Sequence, residues 1–216
     1  MSIKLYDYFR SSASFRVRIA LNLKGLDYEK IAIHLVKDGG QQLSDDYRVI
    51  NPQRLVPALQ HGDNLLTQSI PILEYLDEQF PEPPLLPADA VGRAQVRAMA
   101  QVIGADTHPI QNLRVLKYLK HSGFDQDGIN AWASHWIETG FAALEAMLDK
   151  QQQKGPFFWG DRVTLADIVI APQLLNAKRF GADLTGTPRV VEICERLLEL
   201  PAFDDARPEN QPEFEP

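Results

Sequence analysis

"IKLYDYFRSSASFRVRIALNLKGLDYEKIAIHLV", Ile3 to Val36, decides how this chain folds. Residues 3–8 and 28–36 alternate apolar and polar side chains, the two-residue period of half-buried strands. Between them Phe15, Ile19 and Leu23 recur four apart, Val17 and Leu21 widen the face, and Gly25 stands where a helix would stop. A strand, helix, strand order predicts a right-handed crossover joining parallel strands. The first junction is unusual, because Ser11, Ser12 and Ser14 crowd together with Arg10, Arg16 and Arg18. A helix start needs one cap, whereas hydroxyls and cations beside free amides suit a bound anion. As caps and turn formers the serines would need no ligand, and Arg16 and Arg18, on the helix body, read as structural.

Downstream, Ala58–His61 reads as a short strand, Gly62–Asn64 as a turn, and the residues up to Thr67 as a second strand, completing a hairpin. A helix follows, with Ser69 as its expected N-cap, Pro71 in its first turn, and Ile72, Leu73 and Leu76 on its apolar face. "PEPPLLP", Pro81 to Pro87, cannot continue a helix and reads as a linker. The expected division is an α/β domain over residues 1–82 and an all-α domain over 88–216, where the period stays near 3.6. In the second half "TLAD" predicts a capping box between Thr164 and Asp167. The tail "DDARPENQPEFEP" has the composition of a loosely packed or unpacked segment.

The chain has 216 residues, 44% of them hydrophobic and 24% charged, enough for two cores. A net charge of -7 argues against a nucleic-acid surface, and no apolar run approaches a membrane span. The one cysteine, Cys194, rules out an intramolecular disulfide and a Cys-x-x-Cys pair, and in "VVEICERLLEL" it reads as a packing residue. His34, His61, His121 and His135 form no constellation with metal spacing, so no metal is expected. The opening residues do not read as a signal peptide, and a cytoplasmic protein is the expectation.

The order of elements, and the runs "LYDYFRSSASFRVRIALNLKG", "KDGGQQ", "NPQRLVPAL", "TQSIPILEYL", "HPIQNLRVLKYL" and "TLADIVIAPQLLNAKRFGADLT", resemble the zeta-class glutathione transferases over nearly the whole chain. The resemblance implies a thioredoxin-like amino-terminal domain (βαβ then ββα), an all-helical carboxy-terminal domain, a homodimer, and glutathione as the cofactor. It implies that Ser11, with Ser12 beside it, donates to the glutathione sulfur; a hydrogen bond to the charged form would lower the thiol pKa. The family usually carries cysteine at the third place of this run, where Ala13 stands here, so no protein thiol is available from the loop.

By the same resemblance Val56-Pro57 is a cis pair whose backbone holds the cysteinyl part of glutathione, although an ordinary trans turn would also fit the dipeptide. Gln68 and Ser69 would take the γ-glutamyl carboxylate at a helix start, Gln42 the glycyl end, and His108 and Asn112 would border the site. Arg10, Arg179 and Arg114 would clamp a dicarboxylate substrate, since arginine presents a rigid fork to a carboxylate. The implied activity is cis-trans isomerisation by thiolate addition, rotation and elimination. Maleylacetoacetate, giving fumarylacetoacetate in aromatic amino-acid catabolism, is the expected substrate from the "SSxSFRVRIAL" pattern, while Arg114 would suit the shorter maleylpyruvate. A general glutathione transferase or peroxidase, and a non-catalytic module of the same fold, are the rival readings.

Overall fold

The computed structural model describes residues 2–215. The chain divides into two compact units, Met1–Leu85 together with Glu199–Pro216, and Leu86–Leu198.

In the first unit β1 (Ile3–Asp7), α1 (Ser12–Leu23) and β2 (Glu29–Ala32) form the expected crossover, with β1 and β2 parallel and Lys4 opposite Glu29. The helix stops as its sequence predicts: Gly25 N–H bonds to the Asn22 carbonyl and Leu26 N–H to that of Leu21, the paired bonds of a Schellman ending. The second strand is shorter than the 28–36 alternation implied. Past Ala32 the Gln41 side chain accepts from His34 N–H at 2.8 Å, and Gln41 N–H donates to the His34 carbonyl at 2.9 Å, which bends the chain into a loop. A short helix α2 (Asp45–Ile50), capped by Ser44 on Tyr47 N–H, follows that loop and was not anticipated.

The hairpin β3 (Ala58–His61) and β4 (Asn64–Thr67) lies where expected, and α3 (Ser69–Gln79) completes the ββα half. The sheet order is β2-β1-β3-β4. Because β3 runs against β1 and β4 against β3, the carboxy ends of β1, β2 and β4 share one end of the sheet with the start of β3. Tyr6, Ala58 and Thr67 are register partners across that end. The turn after β1, the loop after β2, the approach to β3 and the head of α3 therefore all meet there.

The tail does not behave as its composition suggested. Phe203, in the short helix Pro201–Asp204, and Ala206 are buried, and Phe214 packs edge-on to Phe9 with ring centroids 5.9 Å apart. The cause is a buried cation. Arg18, fully buried on α1, pairs with Asp7 at 2.7 Å and donates to the Phe9 and Ala206 carbonyls, each at 3.0 Å, so the returning chain supplies an acceptor that the helix lacks. Asn22 adds a bond to the Ala202 carbonyl at 3.0 Å, and Lys30 reaches the Gln211 side chain. Residues 199–215 thus belong with the α/β unit, not with the helical one to which the pattern assigned them.

In the second unit α4 (Ala90–Gln101) runs into a π-helical turn at Val102–Thr107 and a 3-10 turn at Pro109–Gln111 before α5 (Leu113–His121). The π turn lets Thr107 press on α6 (Gln126–Lys150) at Gly140, where a Cβ would come within 2.3 Å of the threonine oxygen. At the centre is α7 (Leu165–Phe180), buried on every face from Leu165 to Leu174 and packed by α4, α6 and α8 (Pro188–Leu198). Its expected capping box forms: Asp167 accepts from Thr164 N–H and from the Thr164 hydroxyl, both at 2.7 Å, and from Phe158 N–H at 2.9 Å. Burial raises the Asp167 carboxyl to about 6, those three donors opposing the shift. Cys194 is fully buried on α8, and burial pushes its thiol well up, so it is a packing residue.

Candidate functional site

The end of the sheet where four connections meet holds most of the residues singled out from the first half. Ser11 is the N-cap of α1, accepting from Ser14 N–H at 3.2 Å, while its own N–H donates to the Tyr8 carbonyl at 2.9 Å. A hydroxyl has one proton and two lone pairs, so a capping Ser11 still has its proton to give. It is half-buried, whereas Ser12, the first helical residue, is buried. The geometry favours Ser11 over Ser12 as the donor to an incoming anion.

Val56-Pro57 is cis and leads directly into β3. Among the described residues no backbone hydrogen bond engages Val56, which leaves its amide and carbonyl without a main-chain partner. The approach is braced: Tyr47 hydroxyl and Asn51 Nδ2 both donate to the Leu55 carbonyl at 2.8 Å, and Asn51 Oδ1 accepts from Gln53 N–H at 3.0 Å. These bracing residues were missed in the sequence, although Asn-Pro-Gln ahead of the cis pair is itself a turn signal.

At the head of α3 the cap is Gln68, not Ser69. Gln68 has φ 70 and offers no side-chain cap, its amide donating to the Gln53 side chain at 2.6 Å. Ser69 becomes the first helical residue, buried, and accepts from Arg16 Nη1 at 3.2 Å. The helix therefore starts with amides that no side chain of its own caps, an arrangement suited to a carboxylate.

Gln42 is buried in the loop after β2, its amide donating to the Leu35 carbonyl at 3.3 Å while Oε1 meets no donor. The second glycine of the preceding pair is required by this packing: Gly40 has φ 111, and a Cβ there would lie 2.8 Å from the Gln42 amide nitrogen. Arg10 is exposed, stacked 5.3 Å from the Phe9 ring centre, and donates to the Glu215 main-chain carbonyl. Lys37 pairs with the Glu215 carboxylate, so the tail lies along this loop as well.

Of the residues expected from the helical unit, His108, Asn112 and Arg114 lie at one turn, and Arg179 does not. Asn112 caps α5, accepting from Arg114 N–H at 3.3 Å, and its amide lies 3.5 Å from His108 Nε2. Trp132 on α6 holds this turn by donating to the Ile110 carbonyl at 2.9 Å. Gln111 donates to Gln173 Oε1 at 3.2 Å, which also accepts from Asn176 at 3.3 Å, tying the turn to α7. Arg114 is exposed in the first turn of α5; Arg179 is exposed near the end of α7, over the Phe180 ring at 5.3 Å. Among the described residues no three His, Cys, Asp or Glu side chains gather as a metal site.

This fold matches known proteins over nearly the whole chain. Residues 5–84 match the model for the glutathione S-transferase N-terminal domain, and residues 130–199 that for the glutathione S-transferase C-terminal domain. The chain belongs to the glutathione S-transferase family, in its zeta class. A probable maleylacetoacetate isomerase of Vibrio cholerae is 46% identical, with 99% of each chain covered. Among solved structures, a holo maleyl pyruvate isomerase, described as a bacterial zeta-class glutathione S-transferase, superimposes with a TM-score of 0.94 at 48% identity, covering 98% of this chain and all of that one. The maleylacetoacetate isomerase of Anaeromyxobacter dehalogenans with glutathione in its active site gives a TM-score of 0.87 at 40% identity, covering 99% and 98%.

Proposed function

We propose that this protein is a glutathione-dependent cis-trans isomerase acting on maleylacetoacetate. The observation that carries the reading is the convergence, at one end of the sheet, of a capping serine with a spare proton, an unpaired backbone beside a cis proline, and an uncapped helix start. Glutathione is assigned to these residues part by part: its peptide to the unpaired Val56 backbone, its γ-glutamyl carboxylate to the head of α3 with Ser69, and its glycyl end to Gln42. When bound, glutathione supplies the thiolate that adds to the cis double bond and leaves once the carbon-carbon axis has turned.

The protein's part is electrostatic and positional. Ser11 donates its proton to the sulfur and favours the ionised form, a task that does not require the cysteine replaced by Ala13. Arg179 and Arg114 are the proposed carboxylate partners, with His108 and Asn112 as further binding residues. Arg10 joins them on condition that it exchanges the Glu215 carbonyl for a substrate oxygen. We assign the protein to the cytoplasm as a homodimer: the family resemblance supports the dimer, and among the described residues no helix is long and apolar enough to cross a membrane.

Maleylpyruvate is the second reading, supported by the exposed Arg114 and by the 48% identity to a maleyl pyruvate isomerase. The test is loss of the maleyl chromophore of each substrate with purified protein, with and without glutathione. Turnover that requires glutathione without consuming it supports an isomerase, stoichiometric consumption indicates a transferase, and no turnover leaves a binding module.

A further inference from the structure

Arg16 is an anomaly in the first unit. It is 1% exposed, it makes one hydrogen bond, to Ser69 Oγ at 3.2 Å, and its Nε and Nη2 meet no acceptor. Among the described residues no carboxylate pairs with it, and burial lowers its pKa to about 10, leaving it charged at neutral pH. Arg18, two residues on and equally buried, shows the ordinary solution, an aspartate at 2.7 Å and main-chain oxygens. A buried cation with no counter-ion is costly to the fold, and a functional role is the reason to look for.

Its one partner locates that role. Ser69 opens the 11-residue helix α3, whose N-cap residue Gln68 provides no side-chain cap. With Arg16 donating to it, Ser69 Oγ has its proton left to donate. Positive helix end, hydroxyl proton and uncompensated guanidinium then act on the same place. We propose that Arg16 is a positioning residue of an anion subsite at the head of α3, fixing Ser69 as a hydrogen-bond donor and supplying from beneath the charge that a bound carboxylate neutralises. The identity of that carboxylate as the γ-glutamyl α-carboxylate of glutathione rests on the proposed function.

Calorimetric titration of the full chain with glutathione and with 4-aminobutyryl-cysteinylglycine, which lacks only that carboxylate, tests the assignment. Wild type should prefer glutathione, and Arg16→Met should lose about tenfold to a hundredfold in glutathione affinity while binding the analogue unchanged, the size of a charge-assisted bond. Ser69→Ala should remove most of the effect of adding Arg16→Met, because the arginine acts through the serine. Without ligand, Arg16→Met should melt no lower than wild type, since it removes an unpaired buried charge. Should that variant fold poorly, Arg16→Lys keeps the preference and Arg16→Gln loses it. Equal losses for both ligands in Arg16→Met, or equal behaviour of the Lys and Gln variants, overturn the inference. Wild type that binds no glutathione refutes the functional reading instead.

Discussion

Replacing Ser11 separates two tasks that one oxygen performs. As an N-cap it accepts from Ser14 N–H at 3.2 Å, and losing such a cap costs about 1 kcal/mol, or about 2–4 °C in Tm for a chain of this size. As a thiolate donor it supplies a hydrogen bond to a charged group, worth about 1.5–3 kcal/mol, which is about 1–2 pKa units on the bound thiol. Ser11→Ala loses both. Ser11→Asp keeps an acceptor at the cap, favoured by the helix dipole, yet offers no proton and sets a negative charge against the sulfur. The expected pattern is therefore a small loss of Tm in Ser11→Ala alone, with the bound thiol titrating about 1–2 units higher in Ser11→Ala and at least as high in Ser11→Asp. The ultraviolet absorbance of the thiolate, followed against pH, measures this directly, and the pH profile of turnover should move with it. If Ser11→Asp holds wild-type thiol titration and turnover, the residue is a cap only and the argument fails.

Asp7→Asn leaves Arg18 charged and buried without its counter-ion, so it should cost about 3–5 kcal/mol and lower Tm on the order of 10 °C; a shift under about 2 °C would refute the role given to the pair. Arg179→Ala should lower kcat/KM by about tenfold to a hundredfold with glutathione affinity unmoved, and equal losses in both would remove it from the substrate clamp. Arg114→Ala should lower kcat/KM for maleylpyruvate more than for maleylacetoacetate, and an unchanged ratio would show that this arginine does not set substrate choice. Asp167, held at about 6 in the fold, binds its proton more tightly folded than unfolded, so its contribution to stability falls as pH rises from about 4 to about 6, by up to about 3 kcal/mol. The Tm of wild type relative to Asp167→Asn should decline across that window and run level above about pH 7; a difference flat throughout would exclude the shift.

The crossover and the hairpin were legible because their patterns are local. Period two on either side of period 3.6 specifies strand, helix and strand, and Gly25 marks the stop within one residue. The capping box at Thr164 and Asp167 is equally local. What escaped depended on distant partners. The tail reads as unpacked by composition, yet Phe203 and Ala206 are buried because Arg18, nearly two hundred residues away in sequence, needs an acceptor. The π turn at Val102–Thr107 packs Thr107 on Gly140 of another helix, a contact the local pattern does not carry. Helix α2 was overlooked despite a fair signal, Ser44 ahead of Asp45 and Asp46. At the site, the serine run and the cis proline stood out, whereas Arg16 read as a scaffold residue because its lack of a counter-ion is a property of three dimensions.

The return of residues 199–215 to the α/β unit makes the helical unit an insertion within the sequence of the other. During synthesis on the ribosome, β1, α1 and the hairpin emerge first, but Arg18 lacks its Ala206 acceptor until more than a hundred intervening residues have followed. This acceptor is therefore made last although the helix that carries Arg18 is made first, with the whole helical unit in between. Replacing Glu215 by alanine would release Lys37 and keep the carbonyl that holds Arg10, so the two anchors of this segment can be separated.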